Sequence, residues 1–355
     1  MKTNEINFNF SKIFITGANG WLGRQLIETL SNGDNDVLEN FKPSDYQIRA
    51  FLLEGENDIF LDKYSNLNKF KGDISKKDDC DNFFDKSINR SILIHTAGII
   101  HPKKIKDFYD INYKGTVNLI NSGIKKGINK FVIISSNSPI GCNKNNKNLF
   151  DEKSKYNPYM NYGKSKMLME KFLISKINQG IDITILRPPW FYGDNMPKRQ
   201  ITFYKMIMNG TVPVVGSGNN LRSKAHVKNI VQGIILSASK SISKGKIYWI
   251  ADENPYSYNE IISSIREILK NDLKLNVKNS SIKIPYIFGQ IAQLADYIIQ
   301  SVGFYNQKIH VMSELNKNIA CSIDLAKKEL NYNPKLNLKS GLRNLLLKNK
   351  NEFLN

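Results

Sequence analysis

Short runs of apolar residues recur along the chain and predict buried β-strands. They cover residues 12–16, 47–53, 91–96, 131–135, 182–186 and 247–250. Each run has the usual length of a strand. Longer segments with apolar residues at helical intervals predict helices at 24–31, 110–126, 162–176, 257–269 and 286–302. Ser257, with Glu260 three residues later, forms a capping box at the start of the fourth of these helices.

A glycine-rich turn joins the first predicted strand to the first predicted helix. Residues 17–23 read GANGWLG. Glycine lets the backbone approach a pyrophosphate closely, and the start of the following helix offers free N–H groups. The order of strand, glycine turn and helix is the context that such a phosphate-binding motif requires. The residues predicted to bind a dinucleotide cofactor here are Gly17, Asn19, Gly20, Trp21, Leu22 and Gly23.

Tyr162 and Lys166 stand four residues apart in the predicted helix 162–176. This spacing places both side chains on one face of a helix. A phenol with its ordinary pKa of about 10 is a poor base at neutral pH. A nearby ammonium group favours the phenolate, so we expect Lys166 to lower the pKa of Tyr162. The pair is then suited to move a proton to or from a substrate hydroxyl.

Glu54 follows the second predicted strand, where an acidic side chain can accept hydrogen bonds from the hydroxyls of an adenosine ribose. This position favours NAD over NADP. Arg24, just after the third glycine, favours the opposite interpretation because a guanidinium suits a 2′-phosphate. A carboxylate in a solvated turn is the structural alternative for Glu54. NAD is therefore the predicted cofactor, and NADP stays open.

The composition narrows the class of protein. The chain has 355 residues, 41% of them hydrophobic, which allows a large core in two unequal lobes. Residues 1–11 do not resemble a signal peptide, and no apolar run is long enough to span a bilayer. Cys80, Cys142 and Cys321 lack metal-ligand spacing, which indicates reduced thiols, no bound metal and a cytoplasmic location.

The net charge of +19 raises the question of an anionic partner. The lysines are scattered and accompany many Asn and Ile residues, a pattern typical of an AT-rich genome. The densest basic cluster near the predicted site, residues 103–106, is interpreted as a solvated loop. A non-catalytic dinucleotide-binding protein that binds nucleic acid is supported by the charge alone, so no nucleic-acid partner is predicted.

Further motifs carry a resemblance to a known family. They include Gly-Asp-Ile at 72–74, His-Thr-Ala-Gly at 95–98, Arg-Pro-Pro-Trp-Phe-Tyr-Gly at 187–193 and Ala-His-Val at 225–227. Together with the GxxGxxG spacing and the Tyr–Lys pair, they make the chain resemble the extended short-chain dehydrogenase/reductase family over residues 12–346. It is similar to NAD-dependent epimerases and dehydratases of nucleotide sugars. The resemblance implies an α/β fold, a Rossmann-type doubly wound parallel sheet with a smaller C-terminal substrate lobe.

The resemblance also implies a domain organisation. Residues 1–189 would form an NAD(P)-binding Rossmann domain, completed by about 223–252. Residues 190–222 and 253–355 would form the substrate-binding lobe. Helices at about 107–126 and 161–179 would pair in a homodimer, by analogy with family members. The fairly apolar helix 286–302 is expected to line the substrate pocket, and a membrane-contact helix is the alternative.

Cofactor-binding roles follow from the same resemblance. Asp73 is expected to bind the adenine amino group, and Ile74 to pack on the adenine ring. The small Ala97 and Gly98 would let the cofactor cross the end of a strand. Asn112 would support the active-site geometry.

Catalytic and substrate-binding roles follow as well. Ser136, 26 residues before Tyr162, would hydrogen-bond the substrate oxygen. Pro189 belongs to an element that closes over the nicotinamide. Ser138 and Arg222 would bind substrate, the latter through a diphosphate. His95 is expected to pack and hydrogen-bond in the core.

The resemblance implies an NAD(P)-dependent enzyme that moves a hydride reversibly at a hydroxyl carbon of a nucleotide-sugar-like substrate. Tyr162 and Lys166 would serve both the catalysis and the cofactor. A 4,6-dehydratase is disfavoured because residues 137–138 are Asn-Ser where those enzymes carry Asp-Glu. The acidic residues usual near Arg222 are replaced by Ser223 and Lys228-Asn229. A net dehydrogenase or reductase of the 3-beta-hydroxysteroid type is therefore the alternative.

Overall fold

The computed structural model describes residues 6–84 and 90–354. In chain order the strands of this part are Lys12–Thr16 (β1), Gln47–Leu52 (β2), Leu67–Lys71 (β3), Ser91–His95 (β4), Lys130–Ile134 (β5), Ile183–Arg187 (β6), Trp190–Tyr192 (β7), Pro213–Val215 (β8), Leu221–Arg222 (β9), Lys224–His226 (β10), Ile247–Trp249 (β11), Tyr256–Ser257 (β12) and Ile282–Ile284 (β13).

Seven of these strands form one parallel sheet in the order β11-β6-β5-β4-β1-β2-β3. Strand β1 lies inside the sheet and pairs with β2 on one side and β4 on the other, so Ile13 stands opposite both Ile48 and Ile92. The chain therefore moves outward from β1 in two directions. This order confirms the predicted doubly wound sheet, whose ligand crevice lies beyond the carboxyl ends of β1 and β4. The predicted strand 247–250 is confirmed as the edge strand β11.

The helices of the described part are Trp21–Asn32 (α1), Lys77–Phe83 (α2), Ile105–Asp107 (α3), Thr116–Lys125 (α4), Met160–Ile177 (α5), Lys198–Met208 (α6), Val227–Ser239 (α7), Tyr258–Glu267 (α8), Tyr286–Ser301 (α9), Gln307–Glu314 (α10), Asp324–Leu330 (α11) and Leu338–Lys348 (α12). Two π-helical segments cover Phe108–Gly115 and Ile268–Asp272, and short 3₁₀ turns cover Ile59–Leu61, Ser241–Ser243 and Lys350–Phe353. Ser257 caps α8 through the predicted capping box with Glu260.

Helical layers cover both faces of the sheet, as the alternation of side chains along β1 requires. Ile13 and Ile15 belong to a core formed with α1 and α7, whereas Phe14 belongs to a core formed with α2, α4 and α5. Successive side chains of a strand point to opposite faces, so strands covered on both sides are apolar throughout. This explains why the strand runs of the sequence do not alternate between apolar and polar residues.

A second, smaller core lies between α6, α8 and α12 and includes Ile207, Ile261 and Leu342. It corresponds to the predicted substrate lobe, whose boundaries stay a prediction. One segment departs from them. Ile323, Ala326 and the other apolar residues between 321 and 332 pack in the large core, next to α7 and β11. These residues join the large core because the apolar side of α11 packs against β11, the edge strand of the sheet.

Candidate active site

The glycine turn between β1 and α1 is held by close backbone contacts. Gly17 has a φ of +68°, and a Cβ at this position would lie 2.7 Å from the Ala97 nitrogen. A Cβ at Gly23 would lie 2.1 Å from the Gly17 oxygen. Within the described part of the chain, no side chain caps the start of α1, where Gly20 is the N-cap residue. The turn therefore leaves a cradle beside the free N–H groups of a helix start, which fits a pyrophosphate.

Polar side chains fasten this turn to its surroundings. The Asn19 amide donates to the Asn57 carbonyl at 2.7 Å and accepts from the Arg24 guanidinium at 2.8 Å. The Trp21 indole N–H donates to the Asp194 carbonyl. Leu22 is buried in the large core. Asn19 and Trp21 therefore position the turn, and Arg24 is already bound to Asn19.

The two acidic residues predicted to bind the adenosine part lie beyond β2 and β3. Glu54 is exposed in the turn after β2. The Asp73 carboxylate accepts from the Ser75 N–H at 2.8 Å. Ile74 is buried and packs against Gly115, where a Cβ would lie 2.9 Å from its side chain. The side chain of Ile74 therefore contributes to the core.

Asn112 fixes the loop that follows β4. Its side chain accepts from the Ile99 N–H at 2.8 Å and donates to the Ile99 carbonyl at 2.9 Å. It lies in the π-helical segment Phe108–Gly115, a kind of irregularity that is frequent at functional sites. A Cβ at Gly98 would lie 3.1 Å from the Asn112 amide oxygen and 3.5 Å from the Lys166 ammonium. The backbone at Gly98 thus lies close to both Asn112 and Lys166.

His95 is the last residue of β4 and is fully buried inside the sheet. Its ring nitrogens lie 2.6 Å from the Thr16 hydroxyl and 2.8 Å from the Thr116 hydroxyl. Burial lowers the pKa of His95 to about 3, so the ring is neutral. The expected core role of His95 is confirmed.

The Ser136 loop and the start of α5 bring the three predicted catalytic residues together. The Ser136 hydroxyl lies close enough to the phenol of Tyr162 to act on its pKa, which it lowers. It lies 3.3 Å from the Ser138 hydroxyl and accepts from the Ser138 N–H at 3.2 Å. A Cβ at Gly163 would lie 2.5 Å from the Ser138 carbonyl oxygen. Glycine is therefore required at this position for the loop and the helix to meet so closely.

The electrostatics of this group differ from the prediction. Burial raises the pKa of Tyr162 to about 12. The neighbouring Ser136 hydroxyl acts to lower this pKa, and the charge of Glu314 acts to raise it. The expectation that Lys166 lowers this pKa is wrong for the protein without ligands. The Lys166 ammonium donates to the Ile134 carbonyl at 3.1 Å, and burial lowers its own pKa to about 8. Desolvation therefore dominates both groups.

The predicted substrate residue Arg222 is buried at the end of the short strand β9. Its guanidinium lies 4.7 Å from the centre of the Trp190 ring, and the Lys224 ammonium lies 4.7 Å from the same ring. Burial lowers the pKa of Arg222, and it lowers the pKa of Lys224 to about 7. Among the described residues, nothing hydrogen-bonds Nε of Arg222. Pro189, just before Trp190, is buried at the end of β6.

A group of polar residues from α5, α9 and α10 was missed in the sequence. The Tyr159 hydroxyl lies 2.8 Å from the Ser313 hydroxyl, and the His310 ring lies 2.7 Å from the Asp296 carboxylate. Glu314 accepts from Arg222 through its backbone carbonyl. These residues are scattered over 155 positions of sequence without a motif, so no sequence signal identifies them.

Residues 6–84 and 90–354 contain neither a metal-binding cluster nor a membrane-spanning helix. No cluster of His, Cys, Asp and Glu in them could hold a metal ion, and the three cysteines are free. No helix in them has both the length and the apolar content needed to cross a membrane.

Comparison with known proteins places this arrangement in a family. The model of the 3-beta hydroxysteroid dehydrogenase/isomerase family matches residues 14–282. The chain belongs to this family. The family lies within the extended short-chain dehydrogenase/reductase enzymes, so the predicted family and the prediction of an enzyme are confirmed. The sequence is 41% identical to the uncharacterised protein y4nL of Sinorhizobium fredii (strain NBRC 101917 / NGR234), covering 95% of each chain.

More distant relatives and solved structures extend the comparison. The chain is 24% identical to N-acetyl-alpha-D-glucosaminyl-diphospho-ditrans,octacis-undecaprenol 4-epimerase of Escherichia coli O157:H7, covering 79% of this chain and 77% of that protein. The crystal structure of UDP-glucose 4-epimerase with UDP-glucose from Thermotoga maritima aligns with a TM-score of 0.72 at 18% identity, over 97% and 100% of the chains. That of dTDP-glucose 4,6-dehydratase from Bacillus anthracis strain Ames, in complex with NAD, aligns with a TM-score of 0.72 at 19% identity, over 96% and 97%. The structural likeness confirms the fold.

Proposed function

We propose that the protein is an NAD(P)-dependent epimerase or oxidoreductase that acts on a hydroxyl-bearing carbon of a nucleotide-sugar-like substrate by reversible hydride transfer. The observation that carries this proposal is the meeting of Ser136, Tyr162 and Lys166 beside the glycine cradle. One side of the site suits a dinucleotide, and the other presents hydroxyl groups that can handle a substrate proton.

The residues present fit a nicotinamide dinucleotide. Gly17, Gly20 and Gly23 let the turn fold closely on itself and on Ala97, the tight backbone that a pyrophosphate-binding turn needs. Gly98 brings the backbone after β4 close to Asn112 and Lys166. When bound, this cofactor supplies the acceptor and donor of the hydride. Glu54 is exposed in the position that suits ribose hydroxyls, and Arg24 is engaged by Asn19. Both observations support NAD, with NADP as the alternative.

The proton chemistry falls to Tyr162. Its phenolate accepts the proton of the substrate hydroxyl and returns it when the reaction reverses. The Ser136 hydroxyl favours ionisation of the phenol, because its proximity lowers the pKa of Tyr162. The Lys166 ammonium is held at the end of β5 by the Ile134 carbonyl, one helical turn from Tyr162. It would hold the cofactor ribose and add positive charge near the phenolate.

The substrate side suits an anion. Arg222 and Lys224 both pack against the Trp190 ring in a buried setting, and Nε of Arg222 has no hydrogen-bond partner in the described part of the chain. A diphosphate oxygen would satisfy this donor, because guanidinium groups bind phosphate in a fork. Ser138, 3.3 Å from the Ser136 hydroxyl, would contact the sugar. The distant 4-epimerase of Escherichia coli acts on a sugar diphosphate, which agrees with this assignment.

A net dehydrogenase or reductase of the 3-beta-hydroxysteroid type is the second candidate. The family match favours it. Ser223 and Lys228-Asn229 also favour it, since they replace acidic residues usual near the diphosphate-binding arginine of nucleotide-sugar enzymes. A homodimer formed through the π-helical segment, α4 and α5, and a cytoplasmic location, stay predictions.

Two measurements test the proposal. Mass spectrometry of the gently denatured protein would identify any dinucleotide and nucleotide sugar that co-purify. Incubation with UDP-glucose, UDP-N-acetylglucosamine and a 3-beta-hydroxysteroid, each with NAD or NADP, follows both product and nicotinamide absorbance. We expect an epimerised sugar without net change in absorbance. Steady formation of reduced nicotinamide with the steroid would favour the second candidate, and turnover of neither substrate class would contradict the proposal.

A further inference from the structure

Two cationic side chains, Arg222 and Lys224, are buried next to each other. Arg222 is 2% exposed and Lys224 is 9% exposed. The Arg222 guanidinium and the Lys224 ammonium each lie 4.7 Å from the centre of the Trp190 ring. In the part of the chain that the structure describes, no carboxylate lies within ion-pair distance of either cation. We call Arg222 and Lys224 the cation pair.

The strand pairing places the cation pair on the side of the candidate active site. Strands β7 and β10 run parallel, with Lys224 opposite Trp190. Ala225, the next residue of β10, packs in the large core, so the side chain of Lys224 points away from that core. The charge of Glu314 acts both on the guanidinium of the cation pair and on the phenol of Tyr162. The cation pair therefore lies within electrostatic range of the group that surrounds the candidate catalytic tyrosine.

The two members of the cation pair differ in how their charge is held. The Arg222 guanidinium donates to the Glu314 carbonyl, and its Nε has no hydrogen-bond partner in the described ranges. A guanidinium keeps its proton at physiological pH. Among the described residues, nothing hydrogen-bonds the Lys224 ammonium. Burial, and after it the charge of Arg222, lowers the pKa of Lys224 to about 7. Lys224 is therefore the member that can change its charge near neutral pH.

The cation pair calls for an anion that the described part of the chain does not supply. A buried charge is costly unless an opposite charge or hydrogen bonds compensate it. Contact with the Trp190 ring offsets a part of this cost. The free Nε of Arg222 and the ammonium of Lys224 together require a group with at least two acceptor oxygens. Phosphate groups provide such oxygens.

Asp252 is a second titratable group close to Lys224. Its N–H donates to the Lys224 carbonyl at 2.8 Å, and its carboxylate acts to raise the pKa of Lys224. That carboxylate accepts from Tyr192 at 2.7 Å and from Asn229 at 3.0 Å, and burial raises its pKa to about 7. Burial lowers the pKa of the nearby His226 to about 4, so this ring stays neutral. Proton uptake near neutral pH therefore has to be assigned between Lys224 and Asp252.

We propose that Lys224 selects a substrate that carries a dianionic phosphate or diphosphate group, and that it takes up a proton from solvent when this group binds. The inference rests on the proposed function, whose substrate it restricts to phosphorylated compounds. The lone pair of the neutral amine binds the proton, and the resulting ammonium and the Arg222 guanidinium balance the two negative charges. A bound anion favours the ammonium, so the pKa of Lys224 rises above its value in the free protein. A neutral hydroxysteroid offers no charge to the cation pair.

Calorimetric titration measures binding and proton uptake independently of turnover. Full-length protein with NAD is titrated with UDP-glucose or with glucose 1-phosphate, in Hepes and in Tris, two buffers that differ in ionisation enthalpy. The phosphate groups of both compounds are fully ionised at about pH 8, so a proton taken up there binds to the protein. We expect uptake of close to one proton at about pH 8, and binding about fivefold weaker than at about pH 7.

Two substitutions of Lys224 assign the proton. Lys224→Arg keeps its charge at every pH, so it should bind at least as well as the wild type at about pH 8, without proton uptake. Lys224→Met should weaken binding at about pH 7 by about tenfold and abolish the uptake. The matched control Lys130→Met removes a buried lysine at the amino end of β5 and should bind like the wild type.

The inference is overturned if proton uptake persists in Lys224→Arg, because Asp252 is then the titrating group. It is also overturned if Lys224→Met binds like the control, or if neither phosphate compound binds. Uptake with glucose 1-phosphate and no binding of UDP-glucose would support a single terminal phosphate as the recognised group.

Epimerisation in the same samples separates this inference from the proposed function. If UDP-glucose binds with proton uptake but no substrate turns over, the inference about Lys224 stands and the proposed function fails. If UDP-glucose is epimerised but binds without proton uptake, the inference about Lys224 alone fails.

Discussion

Helices α5 and α9 touch each other and are built in opposite ways. Helix α5 turns its functional residues, Tyr162 and Lys166, towards the site and leaves lysines such as Lys164 in solvent. Helix α9 buries Asp296 and Gln300 and exposes its apolar residues. The position of the polar residues on a helix therefore does not by itself show which side packs in the core. The inward-pointing polar residues of α5 belong to the candidate site, whereas those of α9 hold the helix against the protein.

The largest effect is expected on the functional stripe of α5. Lys166→Met removes a buried cation that is held by the Ile134 carbonyl beside Gly98. We expect kcat/KM to fall at least about 100-fold and dinucleotide binding to weaken. Steady-state kinetics and calorimetric titration with NAD measure both. Lys164→Met, on the exposed side of the same helix, is the control. Equal loss in both variants would place the effect in helix stability instead of the site.

The contact between α5 and the Ser136 loop should dominate local stability. A Cβ at Gly163 would meet the Ser138 carbonyl oxygen at 2.5 Å, and this oxygen is a backbone atom that cannot rotate away as a side chain could. Gly163→Ala should therefore lower the free energy of unfolding by about 1–3 kcal/mol. Chemical denaturation measures the change, with Lys164→Ala expected within about 0.5 kcal/mol of the wild type. An unchanged stability would show that the loop and the helix can separate.

The two sides of α9 should respond differently to substitution. Gln300→Leu removes the acceptor of the Asn161 backbone and side-chain N–H groups and should cost about 1–3 kcal/mol of unfolding free energy. Ile298→Gln, on the exposed apolar side of α9, should change the free energy of unfolding by less than about 0.5 kcal/mol. Chemical denaturation of both variants measures the two changes. A larger loss for Ile298→Gln than for Gln300→Leu would mean that the exposed side packs against protein.

The smallest effect concerns the missed residue Glu314. Its charge helps to raise the pKa of Tyr162, so Glu314→Gln should lower that pKa. A base works when it is deprotonated, and kcat/KM therefore rises with pH up to the pKa of Tyr162. The rise should shift to lower pH in the variant, which gives about a threefold gain at neutral pH. A pH profile of kcat/KM checks this, and a shift to higher pH would contradict the assignment.

The sequence predicted the Rossmann half well, because its signals are local. The glycine turn, the apolar strands and the Tyr162–Lys166 spacing depend on a few neighbouring residues. Contacts between residues from distant segments of the chain could not be predicted from the sequence. Tyr159, His310 and Glu314 meet only through tertiary packing, and α11 joins the large core although it lies late in the chain.

The sequence also failed on the electrostatics and on the orientation of α9. The pKa of Tyr162 depends on burial, which spacing does not reveal. The apolar pattern of residues 286–302 predicted a helix, and the helix is present as α9. The same pattern cannot tell which side faces the protein, because an apolar stripe that packs in the core and one that is exposed have the same spacing in the sequence. Only the contacts of Asp296 and Gln300 decide it.

The turnover of Tyr162→Phe tests the central claim most directly, with Tyr159→Phe as the matched control three residues earlier on the same segment. Both changes remove one phenol hydroxyl, but the Tyr159 hydroxyl hydrogen-bonds Ser313, whereas the Tyr162 hydroxyl lies near Ser136, which lowers its pKa. We predict that Tyr162→Phe lowers kcat by about 10²- to 10⁴-fold at unchanged NAD affinity, whereas Tyr159→Phe retains most of the activity. Near-normal turnover by Tyr162→Phe would contradict the account.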